Sequence, residues 1–597
     1  MFFLPDGFRL TEENASNMHP YPWSVLTAAL SIRPESRRLW RIESLLSVGL
    51  FIYLLTGTMT GQQPWLLAAR AGNEGVEQAS ASNPAQDAGK TAPIVIGMMF
   101  EPVSFNPLRG VDSGSYYAST LVYQGLVKYD QDIHIVPALA ESFDISPDGL
   151  TYKFRLRKNL HFSTGETLTA SDVKASFGLA ASELSPFRAD YSDIVAVTVG
   201  ASPADAHTIE VKLKQRSQPF LSRMCEMRIL PARVISLPDR GNKLLARAPV
   251  ATGPYCLKSW ETGLELVFER NPYYWGPPAK CPRIIWRIIP DRTVAAVALA
   301  KGEIDLAQVE GRMWGNYLSK KKIDRAKTGT SGSGSDLELN EFSGNRTVYL
   351  GFNLRRSPEN EPVVRRALVE ALNRNALARV FYGGYALVAD TDTPRASWVY
   401  TETEKVAFNL NQSARLLQQA RFVKTDGIWT RDGKQLSLRI LTVKELEDVA
   451  NVVSDDLVRA GIKSEVEVIE YTSLRRLYLQ KGQFEAVLWS RSCGPDPEST
   501  IVWSRKGPLN FCGLESDQVD GFLKGGRLAP TEAGRKVCYG DLQKYLAHEL
   551  PWAFLVQPKL LIAHKAEILN VQKGRQRSVG LPWDNPVFNA AEWQRTK

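Results

Sequence analysis

Cysteine is sparse in this sequence of 597 residues, which contains six, and the first of them is Cys225. We therefore expect no lipid-modified cysteine near the N-terminus. No two cysteines have the CxxC spacing, and the spacings do not indicate a zinc site. If the chain is exported, disulfide bonds are allowed. The local pairings that we expect are Cys256 with Cys281 and Cys493 with Cys512; free buried thiols are the alternative.

Motifs that carry enzyme chemistry are also missing. The sequence has neither the phosphate-binding pattern GxxxxGK[ST] nor the nucleophile pattern GxSxG. Its six histidines are scattered, and none lies at ligand spacing from another. We therefore expect a protein that is not an enzyme and that carries no cofactor and no metal ion.

Runs of like charge are short, although the formal net charge is +9. Lysine and arginine are dispersed, and the densest local run, residues 319–322, holds three lysines. A nucleic-acid footprint requires basic residues that cluster on one face or along one helix. We therefore expect no nucleic-acid partner.

An apolar run lies near the N-terminus at residues 45–55 (LLSVGLFIYLL), and four arginines between residues 33 and 41 precede it. This arrangement is typical of a secretory signal, and the run is short for a membrane span. We expect residues 1–71 to form a signal or targeting region; an uncleaved anchor that extends to about Leu67 is the alternative. Residues 72–92 are small and polar, which predicts a disordered tether.

A turn, a strand and a helix are predicted in succession after residue 147. Asp148-Gly149 is a hairpin turn signal, and residues 151–157 (TYKFRLR) alternate apolar and charged side chains as a half-buried strand does. Thr169 is suited to cap a helix over residues 170–182, with Asp172 three residues on as a partial capping box. The pattern predicts a small, strand-rich unit with a helix packed on it.

Strand and helix patterns alternate on both sides of a segment rich in glycine and serine, residues 328–346, which predicts two mixed α/β domains joined by a flexible linker. Before the linker, the predicted strands are 94–99, 264–268, 283–289 and 302–305, and the predicted helices are 115–127 and 293–300. After the linker, the predicted strands are 347–353, 436–442, 464–470 and 484–489, and the predicted helices are 361–382, 411–421, 445–460 and 472–481.

Several stretches follow one another in an order that is known from one protein family. They are residues 138–178, TGPY (252–255) with RNPYYWG (270–276), GEIDL (302–306), NLRRSPENEPVVRRALVEALNR (353–374), GPDP (494–497) and DLQKYLAHELPWAFLVQP (541–558). Over about residues 93–575 the sequence resembles the extracytoplasmic solute-binding proteins of family 5, which serve ABC transporters for peptides and nickel.

The resemblance implies an α/β fold with two lobes, the periplasmic-binding-protein (venus flytrap) fold, with mixed sheets and an extra subdomain in the first lobe. Two lobes joined by a hinge would close on a ligand between them. The implied divisions are 93–130 and 246–330 for the two parts of lobe I, 131–245 for its extra subdomain, 331–346 for a flexible inter-lobe linker, 347–552 for lobe II and 553–597 for the return to lobe I.

The resemblance also implies where the ligand binds. The loop Ser104-Phe105-Asn106 would face the ligand. Tyr471 and Trp489 are candidate aromatic walls, with packing at the ends of a helix and a strand as the alternative. Arg395 is a candidate partner for a ligand carboxylate, and an ordinary surface arginine is the alternative.

One loop departs from the pattern that the resemblance implies. Residues 489–497 (WSRSCGPDP) match the loop that offers an aspartate to the peptide amino terminus in peptide binders of this family. When the loop is aligned on Asp496, the position of that aspartate is Cys493, and a shift of one residue gives Ser492 or Gly494. Asp496 either substitutes for the missing acid or caps the turn. The departure argues against an ordinary peptide with a free amine.

The function that the resemblance implies is the substrate-binding component of an ABC importer. It would capture a peptide-like or other small solute and deliver it to a permease in the inner membrane. We expect a monomer outside the cytoplasm, exported by the N-terminal signal or held by an uncleaved anchor. The alternative is a membrane-anchored solute sensor or scaffold that uses the same fold without transport.

Overall fold

The structure, a computed structural model, describes residues 92–107, 112–200, 202, 206–239, 241–317, 337–571 and 584–596. The predicted signal region, and all of the predicted tether except residue 92, lie outside these residues. Among the described residues, no helix combines the length and the apolar character that crossing a membrane requires.

The strands, numbered in chain order, are β1 Ile94–Met98, β2 Val127–Tyr129, β3 Ile135–Pro137, β4 Ala140–Ile145, β5 Thr151–Leu156, β6 Ile194–Val199, β7 Thr208–Leu213, β8 Tyr255–Glu261, β9 Glu265–Arg270, β10 Arg283–Ile288, β11 Leu306–Gln308, β12 Leu337–Phe342, β13 Arg346–Phe352, β14 Ala386–Val388, β15 Val423–Thr425, β16 Ile428–Arg431, β17 Lys434–Gln435, β18 Ser437–Thr442, β19 Lys463–Val468, β20 Ala486–Ser492, β21 Trp552–Pro558, β22 Leu560–Lys565, β23 Ile568–Leu569 and β24 Gln594–Arg595.

The α-helices are Ser113–Val122, Ala170–Ala180, Pro219–Glu226, Ala232–Ile235, Asn242–Arg247, Arg292–Lys301, Pro362–Glu370, Arg374–Ala376, Leu410–Gln419, Glu447–Ala460, Tyr471–Ser473, Thr500–Trp503, Asp517–Leu528 and Glu532–Glu549, and residues 311–317 are also helical. Two π-helices, Leu377–Phe381 and Leu474–Leu479, and three 3-10 helices, Arg188–Tyr191, Lys444–Leu446 and Ala590–Glu592, complete the described helical segments.

The first lobe is built on a seven-stranded mixed sheet with the order β12-β22-β11-β1-β10-β9-β8. The central strand β1 runs parallel to both β10 and β11, and the other pairings in this sheet are antiparallel. The predicted strand 283–289 is confirmed, and its Trp286 is fully buried. The predicted strand 302–305 is wrong, because Gly302, with φ +80°, ends the preceding helix and the strand begins at Leu306.

A four-stranded antiparallel sheet, β4-β5-β7-β6, lies within residues 131–245, the segment predicted to be an extra subdomain. The turn before β5 uses Gly149 at φ +71°, which a side chain would disfavour. The predicted capping box is confirmed. The Asp172 carboxylate accepts the backbone N–H of Thr169 at 2.7 Å and its hydroxyl at 2.8 Å.

The second lobe is built on a six-stranded mixed sheet with the order β14-β21-β13-β20-β18-β19, in which β18 runs parallel to β19 and β20. The predicted helix 361–382 is broken into two α-helical parts and a π-helical part, and the predicted helix 472–481 into one of each. In the first of them, the Asn373 side chain accepts the backbone N–H of Ala376 at 3.0 Å, which starts a new turn where the periodic pattern predicts a continuous helix.

The described chain passes between the two sheets twice, at residues 343–345 and at Lys559. Part of the predicted flexible linker is therefore ordered: residues 337–342 form β12, which pairs along its whole length with β22. Strand β21 also stays in the second sheet as far as Pro558, so the return to the first lobe begins six residues after the expected boundary at residue 552. Both differences have one cause, because hydrogen bonding to a neighbouring strand carries no local sequence signal.

All six cysteines are free, so the predicted disulfide bonds are wrong. In the first predicted pair, Cys256 lies on β8 and Cys281 lies two residues before Arg283, the first residue of β10. Strand β9 runs between β8 and β10, with Glu269 opposite both Cys256 and Arg283. Two strand spacings amount to about 9–10 Å, which exceeds the ~7 Å between Cα atoms that a disulfide spans. In the other predicted pair, the Cys493 thiol donates to the carbonyl oxygen of Asp392 at 3.2 Å, and the Cys512 thiol donates to the side-chain oxygen of Asn510 at 3.4 Å.

Candidate ligand-binding site

A cavity of about 330 Å³ lies between the two lobes. Helix Pro219–Glu226, from the first lobe, supplies Ser222, Arg223 and Glu226 to its wall, and the remaining lining residues belong to the second lobe. The volume lies at the lower end of the range of about 300–1,000 Å³ that is usual for small-molecule sites. Position and size make this cavity the candidate ligand-binding site.

Five aromatic side chains line the cavity: Tyr349, Tyr471, Trp489, Phe511 and Trp552. Four of these rings are stacked in two pairs. Tyr471 lies on Trp489 with ring centroids 5.2 Å apart, and Tyr349 lies on Trp552 with centroids 3.6 Å apart. Such walls provide flat apolar surface, and their hydroxyl and indole groups provide polar edges. The cavity therefore contains both of the predicted aromatic residues.

The sheet register explains why two of these rings share one wall. Tyr349 of β13 is directly opposite Trp489 of β20, so their side chains project from the same face of the second sheet. The pairing of β13 with β21 shifts register between Val348 and Tyr349, which is a β-bulge. A bulge changes the direction of a side chain locally, and this one lies where Tyr349 enters the cavity wall.

Arg223 connects the lobes across the cavity. Its guanidinium lies 3.4 Å from the Asp190 carboxylate in the first lobe and 3.8 Å from the Glu498 carboxylate in the second. Burial lowers the pKa of the Arg223 guanidinium, but the carboxylates of Asp190, Glu226 and Glu498 raise it by more, so Arg223 remains charged. A second inter-lobe ion pair joins Arg527 to Asp193.

Asp496 lines the cavity, but its carboxylate is already bound. Both terminal nitrogens of the Arg535 guanidinium donate to it, at 2.7 and 2.9 Å, and the backbone N–H of Glu498 donates to it at 3.0 Å. Asp496 therefore caps its turn, one of the two roles considered for it, and also holds the helix Glu532–Glu549.

Cys493, at the position of the missing acid, does not line the cavity. Its backbone N–H donates to the carbonyl oxygen of Asn345 at 2.8 Å. Burial raises the pKa of its thiol to about 11, so the thiol is neutral near pH 7. The neighbouring Arg491 lines the cavity but is paired with Asp392, which also accepts the Trp503 indole N–H at 2.6 Å. No carboxylate therefore replaces the missing acid at this position.

The loop Ser104-Phe105-Asn106 lies in the core of the first lobe and not in the cavity wall, which corrects the expectation that it faces a ligand. Phe105 is 1% exposed and packs edge to face on Trp260, with centroids 5.6 Å apart. The Ser104 hydroxyl accepts the backbone N–H of Asn106 at 3.0 Å, and the Asn106 amide donates to the Asn242 side chain at 2.8 Å. The apolar ring decides the position of the loop, because burying it releases the most surface from water.

Arg395 is also outside the cavity wall. One terminal nitrogen of its guanidinium lies 3.7 Å from the Asp390 carboxylate, and this carboxylate also lies 3.5 Å from Arg374. The structure thus gives Arg395 a protein partner in place of the expected ligand carboxylate.

Arg475 lines the cavity, and the sequence patterns did not indicate it. It lies four residues after Tyr471, so the two side chains share one face of the helical segment. Its guanidinium has no hydrogen bond, ion pair or ring contact with the residues that the structure describes. The available sequence signal was the spacing to Tyr471, which is too common to single out one arginine among many.

In the described ranges no three His, Cys, Asp or Glu side chains converge as a metal site requires.

The fold and this cavity define the class of protein. Residues 134–510 match the family model of bacterial extracellular solute-binding proteins, family 5 (middle region), which is more than half of the chain. The chain therefore belongs to this family, and its function is that of a solute-binding protein.

Individual relatives give the family context. The chain is 25% identical over 501 residues to the oligopeptide-binding protein AppA of Bacillus subtilis, covering 81% of this chain and 89% of AppA. It is 27% identical over 528 residues to the glutathione-binding protein GsiB of Pectobacterium atrosepticum, covering 85% and 96%. The crystal structure of NikZ from Campylobacter jejuni in complex with Ni(L-His) superposes with a TM-score of 0.72 at 23% identity, covering 84% of this chain and 99% of NikZ. That likeness shows the two-lobed fold.

Proposed function

We propose that the cavity between the lobes binds one small, peptide-like solute and that the closed protein delivers it to an ABC permease in the inner membrane. The observation that carries this proposal is the composition of the wall, to which both lobes contribute side chains around one cavity. A ligand that touches both lobes stabilises the closed state by the difference between its affinities for the closed and open states.

Inter-lobe ion pairs support the same cycle. Arg223 with Glu498 and Arg527 with Asp193 connect the lobes around the cavity. The acids of both pairs are nearly buried, and the cost of removing charges from water offsets much of the attraction between them, so the net contribution of such pairs to closure is small. They therefore bias closure without locking it, and solute contacts supply the rest. A micromolar solute corresponds to about −8 kcal/mol, which is ample to shift such an equilibrium.

The test uses the purified full chain. We expect thermal melting to rise with solute concentration for members of a panel of di- to pentapeptides, amino-blocked peptides, sugars and metal ions. Small-angle scattering should show a smaller radius of gyration with the same solutes.

The variant Tyr471→Ala should weaken binding by about threefold to tenfold, because it removes half of a stacked pair. Tyr273→Ala is the matched control, because Tyr273 is similarly exposed and lies outside the cavity wall. If no solute raises the melting temperature or reduces the radius, the proposal fails.

We further propose that the protein works as a monomer and lies outside the cytoplasm; the location is supported by the match to a family of extracellular proteins. N-terminal sequencing of the mature protein tests the route. A new N-terminus beyond the apolar run at residues 45–55 would support export with cleavage. An intact N-terminus in the membrane fraction would support the anchored sensor or scaffold instead. Sedimentation of the purified protein tests the monomer, and a dimer at micromolar concentration would contradict it.

A further inference from the structure

The carboxylates that line the cavity already have partners. Asp496 is bound by Arg535, and Glu498 accepts the backbone N–H of Thr500 at 2.8 Å and lies 3.8 Å from Arg223. The third acid, Glu226, lies close enough to Arg223 to contribute to the raised pKa of its guanidinium. A solute amine that entered this cavity would therefore compete with an arginine for each carboxylate.

The three described arginines that line the cavity differ in whether a protein group binds their guanidinium. Arg223 has its carboxylate partners, and Arg491 is paired with Asp392. Arg475 is the exception among the described lining residues, since no hydrogen bond or ion pair engages its guanidinium. Leu474, fully buried beside it, anchors the π-helix that presents Arg475 to the cavity.

Further polar groups of the wall also have no hydrogen-bond partner among the described residues. They include the hydroxyl of Tyr349, a side chain that is only 5% exposed, and the indole N–H of Trp489. Polar groups in such positions are costly unless a partner is supplied. The unused groups of the cavity thus include a guanidinium, an indole N–H and hydroxyl groups, all of which can donate hydrogen bonds to a ligand rich in acceptor oxygens.

We propose that the solute carries a carboxylate that Arg475 binds, with an adjoining flat or apolar group against the Tyr471–Trp489 stack. This inference rests on the proposed function and names the solute class for the same cavity. Arg475 is exposed on its helical segment, so its guanidinium is open to a solute, and a guanidinium matches a carboxylate with two parallel hydrogen bonds. Recognition then depends on the acidic end of the solute and not on a free amine.

The experiment offers fully mixed tripeptide pools to the purified full chain in four forms, with the amino end free or acetylated and the carboxyl end free or amidated. Native mass spectrometry and thermal melting measure binding. We expect both acid forms to bind at least tenfold more tightly than both amide forms, whether or not the amine is blocked. Arg475→Gln should reduce the acids to the level of the amides. Arg476→Gln, at a neighbour that is exposed as Arg475 is but lies outside the cavity wall, should leave the preference intact.

The proposal is overturned if the amides bind as well as the acids, if Arg475→Gln retains the preference for acids, or if no form of the pools binds. Uncharged sugars are measured alongside as a separate class. Stabilisation by sugars without peptide acids would retain the proposed solute-binding function and reject the carboxylate. The absence of any stabilising solute would reject both.

Discussion

Asp496 accepts hydrogen bonds at 2.7 and 2.9 Å from the two terminal nitrogens of Arg535, so the acid that the sequence offers to a ligand is instead held by the protein. The pair is nearly buried, with side chains 13% and 8% exposed. Arg535 also donates from Nε to the carbonyl oxygen of Gly526 at 3.0 Å. The arrangement fixes the cavity loop to two helices of the second lobe.

Asp496→Asn should therefore destabilise the fold. It leaves the Arg535 guanidinium without its counter-charge, and breaking a buried pair in this way typically costs about 3–5 kcal/mol. Urea denaturation measures the free energy of unfolding. Glu532→Gln, an exposed acid at the start of the same helix, is the control and should change stability by less than about 0.5 kcal/mol. Equal stability of Asp496→Asn and the control would show that the carboxylate is not structural.

Glu498→Gln should weaken solute binding with only a small loss of stability, because Arg223 keeps its other carboxylate partner, Asp190, at 3.4 Å. The substitution keeps an oxygen that can accept the Thr500 N–H but removes the charge that faces Arg223 across the cavity. Because the pair favours the closed state, we expect a loss of about twofold to tenfold in affinity. Titration calorimetry with a solute identified by thermal melting measures it. Glu515→Gln, an exposed acid away from the cavity, should bind as the wild type does, and an unchanged affinity for Glu498→Gln would remove this pair from the closing mechanism.

Gly344→Ala should disturb the hinge. A Cβ at this buried position would lie 1.8 Å from the backbone oxygen of Pro558, which belongs to the other crossing between the lobes. One crossing must therefore move, and we expect a loss of about 2 kcal/mol or more, read as a lower melting temperature. Gly521→Ala in the helix Asp517–Leu528 meets nothing within 4 Å and should be neutral or slightly stabilising. A melting temperature for Gly344→Ala as high as that of this control would mean that the crossings have room to adjust.

Glu359 should give the protein a pH-dependent stability. Burial raises the pKa of its carboxyl to about 7, and the nearby Glu485 adds to the effect. The unfolded chain releases this proton near pH 4.5, so between these values the folded state binds more protons than the unfolded state. Stability from this group is complete below pH 4.5 and is lost as the pH rises through 7.

The measurement compares urea denaturation of the wild type and Glu359→Gln at pH 5 and pH 8. The variant cannot ionise, so its stability relative to the wild type should improve by roughly 1–3 kcal/mol between the two pH values. The exposed Glu532→Gln should show no such trend. A difference between Glu359→Gln and the wild type that is the same at both pH values would contradict the prediction.

Local patterns were sufficient for much of the architecture. The alternation at residues 151–157 predicted β5, and the Thr169 and Asp172 spacing predicted the start of the helix Ala170–Ala180. These features depend on residues that are neighbours in the chain, so the sequence displays them directly. The prediction of a flexible linker at residues 331–346 is wrong in part, because residues 337–342 form β12 only by pairing with a strand more than two hundred residues away in the sequence.

For the candidate site too, the sequence predicted the features that depend on local residues and not those that depend on distant contacts. The sequence indicated Tyr471 and Trp489 as aromatic walls and placed a neutral residue, Cys493, where an acid was expected. It misplaced Phe105 and missed Arg475, because which groups are left without partners depends on contacts between distant segments. The sequence by itself determined the family, the strand and helix types and the absence of an acid at position 493. Only the tertiary structure decided that Asp496 is paired with Arg535 and that Arg475 has no partner among the residues the structure describes, because charge pairing depends on proximity in space.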